Sequence, residues 1–153
     1  MKGLICALLV VLVLSVSASA LFETNSLQSY VDRYNANIDK APTILKSLLG
    51  NEKVEFNILL VNDSILTVGM QTDKGRIAST VDGGFANPSI EVETSEETIE
   101  RIIKANDPIT AFGDARDSGD LVITGNTLTT RLKLASVLSS MDVLRFLAGS
   151  LLG

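Results

Sequence analysis

The hydrophobic pattern of the chain changes at Lys53, and this change limits the folds that the chain can adopt. After Lys53, apolar and polar residues alternate, which is typical of a β-strand with one buried face. Polar turns at 62–64 and 72–75 separate this strand from two more, and Gly75 can adopt the positive φ of a tight turn. The predicted strands are Lys53–Leu60, Ile65–Gln71 and Arg76–Val81. Two tight hairpins in succession predict an antiparallel meander.

The segment after the meander, from Asn87 to Leu138, alternates strands with helices that each carry an apolar face. A strand around Ile90 and Val92 comes first. Thr94 and Glu97 then form a capping box, which predicts the start of a helix. A short Pro-led helix, a fifth strand between two glycines and a closing helix follow. Their apolar residues are Ile109 and Phe112, then Leu121, Val122 and Ile123, and then Leu128, Leu132, Ala135, Val137, Leu138 and Met141.

Helical periodicity precedes the meander and also ends the chain. We predict an amphipathic helix from Ser26 to Lys40 and a short second helix after Pro42, because proline suits the first turn of a helix. The final segment, from Asp142 to Leu152, carries leucines at helical spacing. Its only base is Arg145, whereas helices that lie on membranes usually have a basic polar face. We therefore expect the final helix to pack against its own sheet or to cap an internal space.

The first 20 residues have the pattern of an export signal. Lys2 precedes an unbroken apolar run from Leu4 to Leu14, and Ala18-Ser19-Ala20 matches the small residues that a signal peptidase recognises. The run is too short to cross a bilayer, which needs about 20 apolar residues. We predict cleavage after Ala20, a single domain over residues 21–153, and a secreted or extracytoplasmic location.

The composition of this predicted mature region excludes several classes of function. The net charge of −5 becomes −6 once Lys2 is removed, and nucleic-acid binding needs clustered Lys and Arg. Histidine is absent from the chain, and its one cysteine, Cys6, lies within the signal. The region therefore has no disulfide, and it lacks the commonest general base and the commonest transition-metal ligand. We expect no enzymatic activity, no cofactor and no metal site.

Two polar features have a functional interpretation and a simpler structural one. Four aspartates, at positions 107, 114, 117 and 120, carry the carboxylate oxygens that calcium prefers as ligands. Their spacing matches no calcium-binding loop, so a solvated loop is the better interpretation. Asn62-Asp63-Ser64 is an acceptor triplet for N-glycosylation in a predicted hairpin turn, where it would be exposed. Asn62 is therefore a candidate glycosylation site.

The order of the elements from Lys53 to Met141 resembles that of the sterol carrier protein 2 family. The best local match runs from Ser89 to Leu138. It comprises a polar helix start after a strand, an Asp-Pro-led segment with an aromatic residue, a strand ending in a glycine and a polar residue, and a leucine-rich helix. These motifs are Glu93–Ile99, Asp107–Phe112, Gly119–Asn126 and Leu128–Leu138. The segment from Gly113 to Ser118 is longer than the usual link, and this chain carries an export signal.

The resemblance implies an α+β fold with a single five-stranded mixed sheet, covered by helices that leave an apolar tunnel. It also implies the binding of a lipid, fatty acid or sterol-like molecule by a monomer without chemistry, and transient contact with a membrane is compatible with this. On this basis the tunnel walls would come from the sheet, from the loop after the meander and from three helices. The candidate wall residues are Ile58, Leu60, Val68, Met70, Phe85, Ile99, Ile103, Phe112, Leu134 and Leu138.

Apolar stripes at helical or strand spacing are more often core than ligand site. The same residues therefore also predict an alternative, an extracytoplasmic protein-interaction module of the same fold with a filled core. Phe85 lies in a loop between glycines and a proline, where it could act as a lid or simply tuck into the core. A third interpretation is a small envelope component, which would differ from the other two by forming stable assemblies.

Overall fold

The computed structural model describes residues 24–152. The predicted signal peptide and its cleavage site lie outside these residues. Within them, no helix is both long enough and apolar enough to cross a membrane.

The described strands form one mixed sheet. They are β1 (Lys53–Leu59), β2 (Ile65–Asp73), β3 (Arg76–Asp82), β4 (Ile90–Ser95) and β5 (Val122–Gly125). Their order across the sheet is β3-β2-β1-β4-β5. The central strand, β1, is parallel to β4, whereas the other three pairs of neighbouring strands are antiparallel. The predicted meander and the five-stranded mixed sheet are thus confirmed.

The hairpin between β2 and β3 fixes the register of the meander. Only two residues connect the strands, because Asp73 pairs with Arg76. Lys74 and Gly75 both have positive φ, at 49° and 85°, as a two-residue turn between right-twisted strands requires. The expectation that Gly75 adopts positive φ is confirmed.

The helices follow one another in the order that the sequence predicts, with some different boundaries. They are α1 (Thr24–Asn37, continued by a 3-10 turn at Ile38–Lys40), α2 (Thr43–Leu48), α3 (Glu96–Lys104), α4 (Pro108–Ser118), α5 (Leu128–Leu138) and α6 (Met141–Leu152). The segment from Gly113 to Ser118 is not a link but the second half of α4, which ends at Gly119 with φ of 83°. The final helix packs against α1, α4 and α5, and it buries Val143 and Leu147.

The start of α3 differs from the predicted capping box by one residue. Ser95, rather than Thr94, is the N-cap, and its hydroxyl accepts a hydrogen bond from the Thr98 amide at 3.1 Å. The Thr94 hydroxyl instead donates to the Asp120 carbonyl. Both residues can cap a helix, so the pattern alone does not separate them.

The two faces of the sheet have different environments. Val54, Phe56 and Ile58 alternate along β1 with Glu55 and Asn57, and the first three are fully buried. The partners of Val54 and Phe56 on the neighbouring strands are apolar and buried too. These partners are Val68 and Met70 on β2 and Ile90 and Val92 on β4. We call this the core face, because it shares one hydrophobic cluster with the helices.

The closing helix, α5, buries only part of the apolar face that the sequence predicts. Leu128 and Leu132 are exposed, whereas Leu134 and Val137 are buried with Leu138. Leu128 and Leu132 lie about half a helical turn away from the buried residues, so one helix carries two apolar faces. The sequence pattern alone does not separate the buried face from the exposed one, because apolar residues occur on both.

Candidate ligand-binding site

Nine of the ten candidate wall residues come together between the core face and the helices. Seven are buried, and two are partly buried against the same cluster. The buried residues are Ile58, Val68, Met70, Ile99, Phe112, Leu134 and Leu138. The partly buried residues are Leu60 and Ile103. Residues that are distant in the chain thus meet in one apolar region, as the candidate site requires.

Several large residues in this region were not among the candidates. Tyr34 from α1, Leu45 from α2 and Phe56 from β1 are each completely buried in the same cluster. Each follows the periodicity of its own element, so a signal for burial was present in the sequence. No pattern in the amino-acid sequence indicates that α1 and α2 reach the same region as α3 and α5.

The interior offers apolar contact and few polar groups. Among the described residues, every buried side-chain nitrogen or oxygen has a hydrogen-bond partner. The Tyr34 hydroxyl donates to the Gly75 carbonyl at 2.8 Å, and burial raises the pKa of this phenol well above its usual value. Contacts in this region are therefore mainly between apolar side chains.

Phe85 lies on the opposite side of the sheet, and its assignment to the tunnel wall is corrected. Its ring covers Gly69, which alternates with the core-facing Val68 and Met70, and a Cβ built on Gly69 would lie 2.6 Å from Cε2 of Phe85. The Phe85 amide donates to Oε2 of Glu55 at 2.7 Å. We call this side of the sheet, opposite to the core face, the outer face. The loop after β3 folds back over it because Gly69 leaves room there for an aromatic ring.

The acidic residues near α4 stabilise local structure. Asp107 is the N-cap of α4, and it accepts hydrogen bonds from the Ile109 and Thr110 amides. The Thr110 hydrogen bonds hold the pKa of Asp107 below its usual value. Arg101 lies 2.6 Å from Asp120 and has the same effect on the pKa of that carboxyl group. The described residues contain no group of three or more acidic, His or Cys side chains that could hold a metal.

Asn62 lies in the exposed turn between β1 and β2. Its side-chain oxygen accepts hydrogen bonds from the Ser64 amide at 3.1 Å and from the Ser64 hydroxyl at 2.6 Å. Asp63, between them, has positive φ of 62°. The turn is accessible, and glycosylation of Asn62 stays a prediction.

No protein-family model and no curated protein matches the chain, but solved structures resemble it. The sterol carrier protein domain 2 of Helicoverpa armigera gives a TM-score of 0.50 at 18% identity, over 79% of this chain and 87% of that one. A UbiJ-SCP2 ubiquinone synthesis protein gives 0.51 at 10% identity, over 82% and 95%. A sterol carrier protein 2 crystal structure gives 0.50 at 9% identity, over 78% and 93%. The chain therefore has the fold of sterol carrier protein 2 domains, as the sequence resemblance predicts.

Proposed function

We propose that this protein is an exported carrier that encloses a lipid, fatty acid or sterol-like molecule between the core face and the helices, without chemistry. The observation that carries the proposal is the convergence of nine candidate wall residues, all aliphatic, aromatic or Met, in one apolar cluster. Solved structures with the same fold are named as sterol carriers, which supports a ligand of this class.

The chemistry of these side chains suits a flexible apolar ligand. Burial of each methylene group contributes about 0.8 kcal/mol, and this contribution needs no fixed geometry. Met70 adds an adaptable side chain to a wall otherwise built from branched aliphatic residues and Phe112. An enclosed acyl chain would thus gain several kcal/mol without a single directional contact.

Export, a monomeric state and transient membrane contact belong to the same proposal. The apolar run from Leu4 to Leu14 and the Ala18-Ser19-Ala20 motif support export with cleavage after Ala20. A carrier that works outside the cytoplasm would take up its ligand from a membrane or from a donor protein, and deliver it in the same way.

The near-complete burial of seven candidate wall residues favours a second candidate function. Phe112 and Met70 have no exposed surface, which is also what a filled core would show. The protein would then be an extracytoplasmic interaction module that uses its outer surface.

Titration with a fluorescent fatty acid separates the two functions. A carrier takes up the probe to saturation at about one molecule per folded monomer, and an unlabelled fatty acid displaces it. Size-exclusion chromatography with light scattering, run on the same sample, reports whether the monomer persists. Absence of saturable uptake by a folded monomer would overturn the carrier proposal and favour the interaction module.

A further inference from the structure

The turn between β1 and β2 is a short loop with Asn62 at its apex. The Leu60 amide donates to the Ser64 carbonyl at 2.9 Å, and the Asp63 amide donates to the Leu60 carbonyl at 3.0 Å. These two bonds, with the positive φ of Asp63, are typical of a three-residue hairpin loop that ends in a left-handed residue. Because Asn62 is the middle residue of this loop, it lies at the outermost point of the hairpin, where it is exposed.

The local hydrogen bonds of Asn62 engage its amide oxygen and not its amide nitrogen. Oδ1 accepts from the Ser64 amide at 3.1 Å and from the Ser64 hydroxyl at 2.6 Å. Nδ2, the atom to which an N-linked glycan is attached, takes part in neither bond. Asn62-Asp63-Ser64 is also the only acceptor triplet in the chain, because the proline in Asn87-Pro88-Ser89 disqualifies that one. Any N-linked glycan on this chain is therefore expected at Asn62.

Exposed apolar residues surround the acceptor triplet. Val61 directly precedes it and Ile65 directly follows it, and they are 76% and 69% exposed. Leu59, which is 47% exposed, pairs with Ile65 across the hairpin, so these two side chains lie together on the outer face. We call Leu59, Val61 and Ile65 the hairpin patch. Leu59 is three residues from Asn62, a length of chain that spans at most about 11 Å, so the first sugars on Asn62 can reach the whole patch.

The size of the hairpin patch favours a tethered cover over a second protein. Stable protein–protein interfaces bury about 800 Å² on each partner, and three side chains at the tip of a hairpin offer far less. A glycan needs no such area, because a covalent bond holds it beside the patch. Its sugar rings have apolar C–H faces that can contact the three side chains, while their hydroxyl groups stay in water.

We propose that Asn62 carries an N-linked glycan that covers the hairpin patch. The donor is an oligosaccharide linked to a lipid pyrophosphate, and an oligosaccharyltransferase of the export pathway catalyses the transfer. The bond between the anomeric carbon and the pyrophosphate oxygen breaks, and a bond from that carbon to Nδ2 forms. Nδ2 loses one proton, and the lipid pyrophosphate leaves. The inference rests on the export part of the proposed function, since the transfer takes place outside the cytoplasm.

Cell-free translation of the full chain with endoplasmic-reticulum microsomes tests the modification separately from export. Resistance of the chain to added protease reports translocation, and a larger product that endoglycosidase H shortens reports the glycan. We expect this larger product from the native chain and from Ser64→Thr, which keeps the acceptor triplet. Asn62→Gln and Ser64→Ala should lose it while remaining protected from the protease. Ser64→Ala is the matched control, because it leaves Asn62 itself in place.

Hydroxyl-radical footprinting tests whether the glycan covers the hairpin patch. The full chain is expressed in a glycosylating secretory host, and mass spectrometry measures the oxidation of individual side chains in the secreted protein. Removal of the glycan from the folded protein with peptide N-glycosidase F should increase the oxidation of Leu59, Val61 and Ile65. Leu132 on α5, which is 63% exposed, is the matched control, and its oxidation should not change.

Translocation without glycosylation would overturn the inference, as would equal oxidation of the hairpin patch with and without the glycan. Slow oxidation of the patch in Asn62→Gln would also overturn it, in favour of a second copy or another protein as the cover. A second template, with the signal peptide of a known secreted protein ahead of the full chain, separates the two proposals. Glycosylation of that template alone refutes export by the chain's own leader and supports Asn62 as the acceptor. Neither assay depends on ligand uptake, so failure of the carrier proposal leaves this test intact.

Discussion

Truncation of Phe112 tests whether the region between the core face and the helices accepts a ligand. Phe112 is completely buried, so Phe112→Ala removes an aromatic ring from the centre of the candidate site. The loss should lower the free energy of unfolding of the ligand-free protein by about 3–5 kcal/mol. In a carrier the vacated space becomes available to the ligand. Burial of two further methylene groups would then strengthen binding of a longer fatty acid by about 1.6 kcal/mol, which lowers its Kd roughly fifteenfold.

The assay measures Kd for a series of fatty acids of increasing chain length by displacement of a fluorescent probe. We expect the preferred length to increase in Phe112→Ala, and bound ligand to restore part of the lost stability. Phe112→Leu is a milder variant that should shift the preference in the same direction with less destabilisation.

Phe85→Ala is the matched control, because it removes the same side chain from the opposite face of the sheet. It should leave the chain-length preference unchanged. An unchanged preference in folded Phe112→Ala and Phe112→Leu would refute the assignment of Phe112 to the wall. A change in Phe85→Ala of the same size would show that the effect is not specific to the core face.

Three further predictions concern the structure around the site. Gly69→Ala should destabilise the fold by about 1–3 kcal/mol because the new methyl group overlaps the Phe85 ring, and this cost should disappear in a Phe85→Ala background. Tyr34→Phe should cost about 1 kcal/mol through loss of its hydrogen bond to Gly75. Because burial raises the pKa of Tyr34, stability should also fall as pH rises above about 10 in the native protein but less so in the variant. Asp107→Ala should lower Tm at neutral pH, whereas Asp107→Asn should keep the helix cap. Because the pKa of Asp107 is lowered in the folded protein, its carboxylate contributes to the free energy of unfolding above the unfolded-state pKa. This contribution is lost as pH falls through the folded-state pKa. Asp107→Asn should therefore remove this loss of stability in acid. Thermal and urea unfolding as a function of pH measure all of these effects. If Gly69→Ala still lowered the free energy of unfolding in the Phe85→Ala background, the packing of Phe85 on Gly69 would be contradicted.

The meander could be predicted from local patterns, because its strands are consecutive and its turns carry the residues that tight turns need. Lys74 and Gly75 illustrate this, since only two residues connect β2 and β3. The parallel pairing of β1 with β4 depends on a long connection, and no local pattern specifies it. The resemblance to a known family supplied that part of the fold.

Phe85 and Leu132 show why the candidate site was predicted only in part. The face that a loop residue covers depends on where the loop folds back, and here the absence of a side chain at Gly69 decides it. The environment of Leu132 depends on which side of α5 meets the sheet, and α5 has apolar residues on both sides. Regular elements such as β1 avoid this ambiguity, because alternation with Glu55 and Asn57 assigns Ile58 to one face.

Native mass spectrometry of the protein purified from its own host, followed by solvent extraction, tests the carrier function most directly. We predict a stoichiometric added mass on the monomer that extracts as a lipid, and the mass would identify the ligand class. A bare polypeptide mass that stays unchanged after incubation with mixed lipids would contradict the carrier function and indicate a filled core.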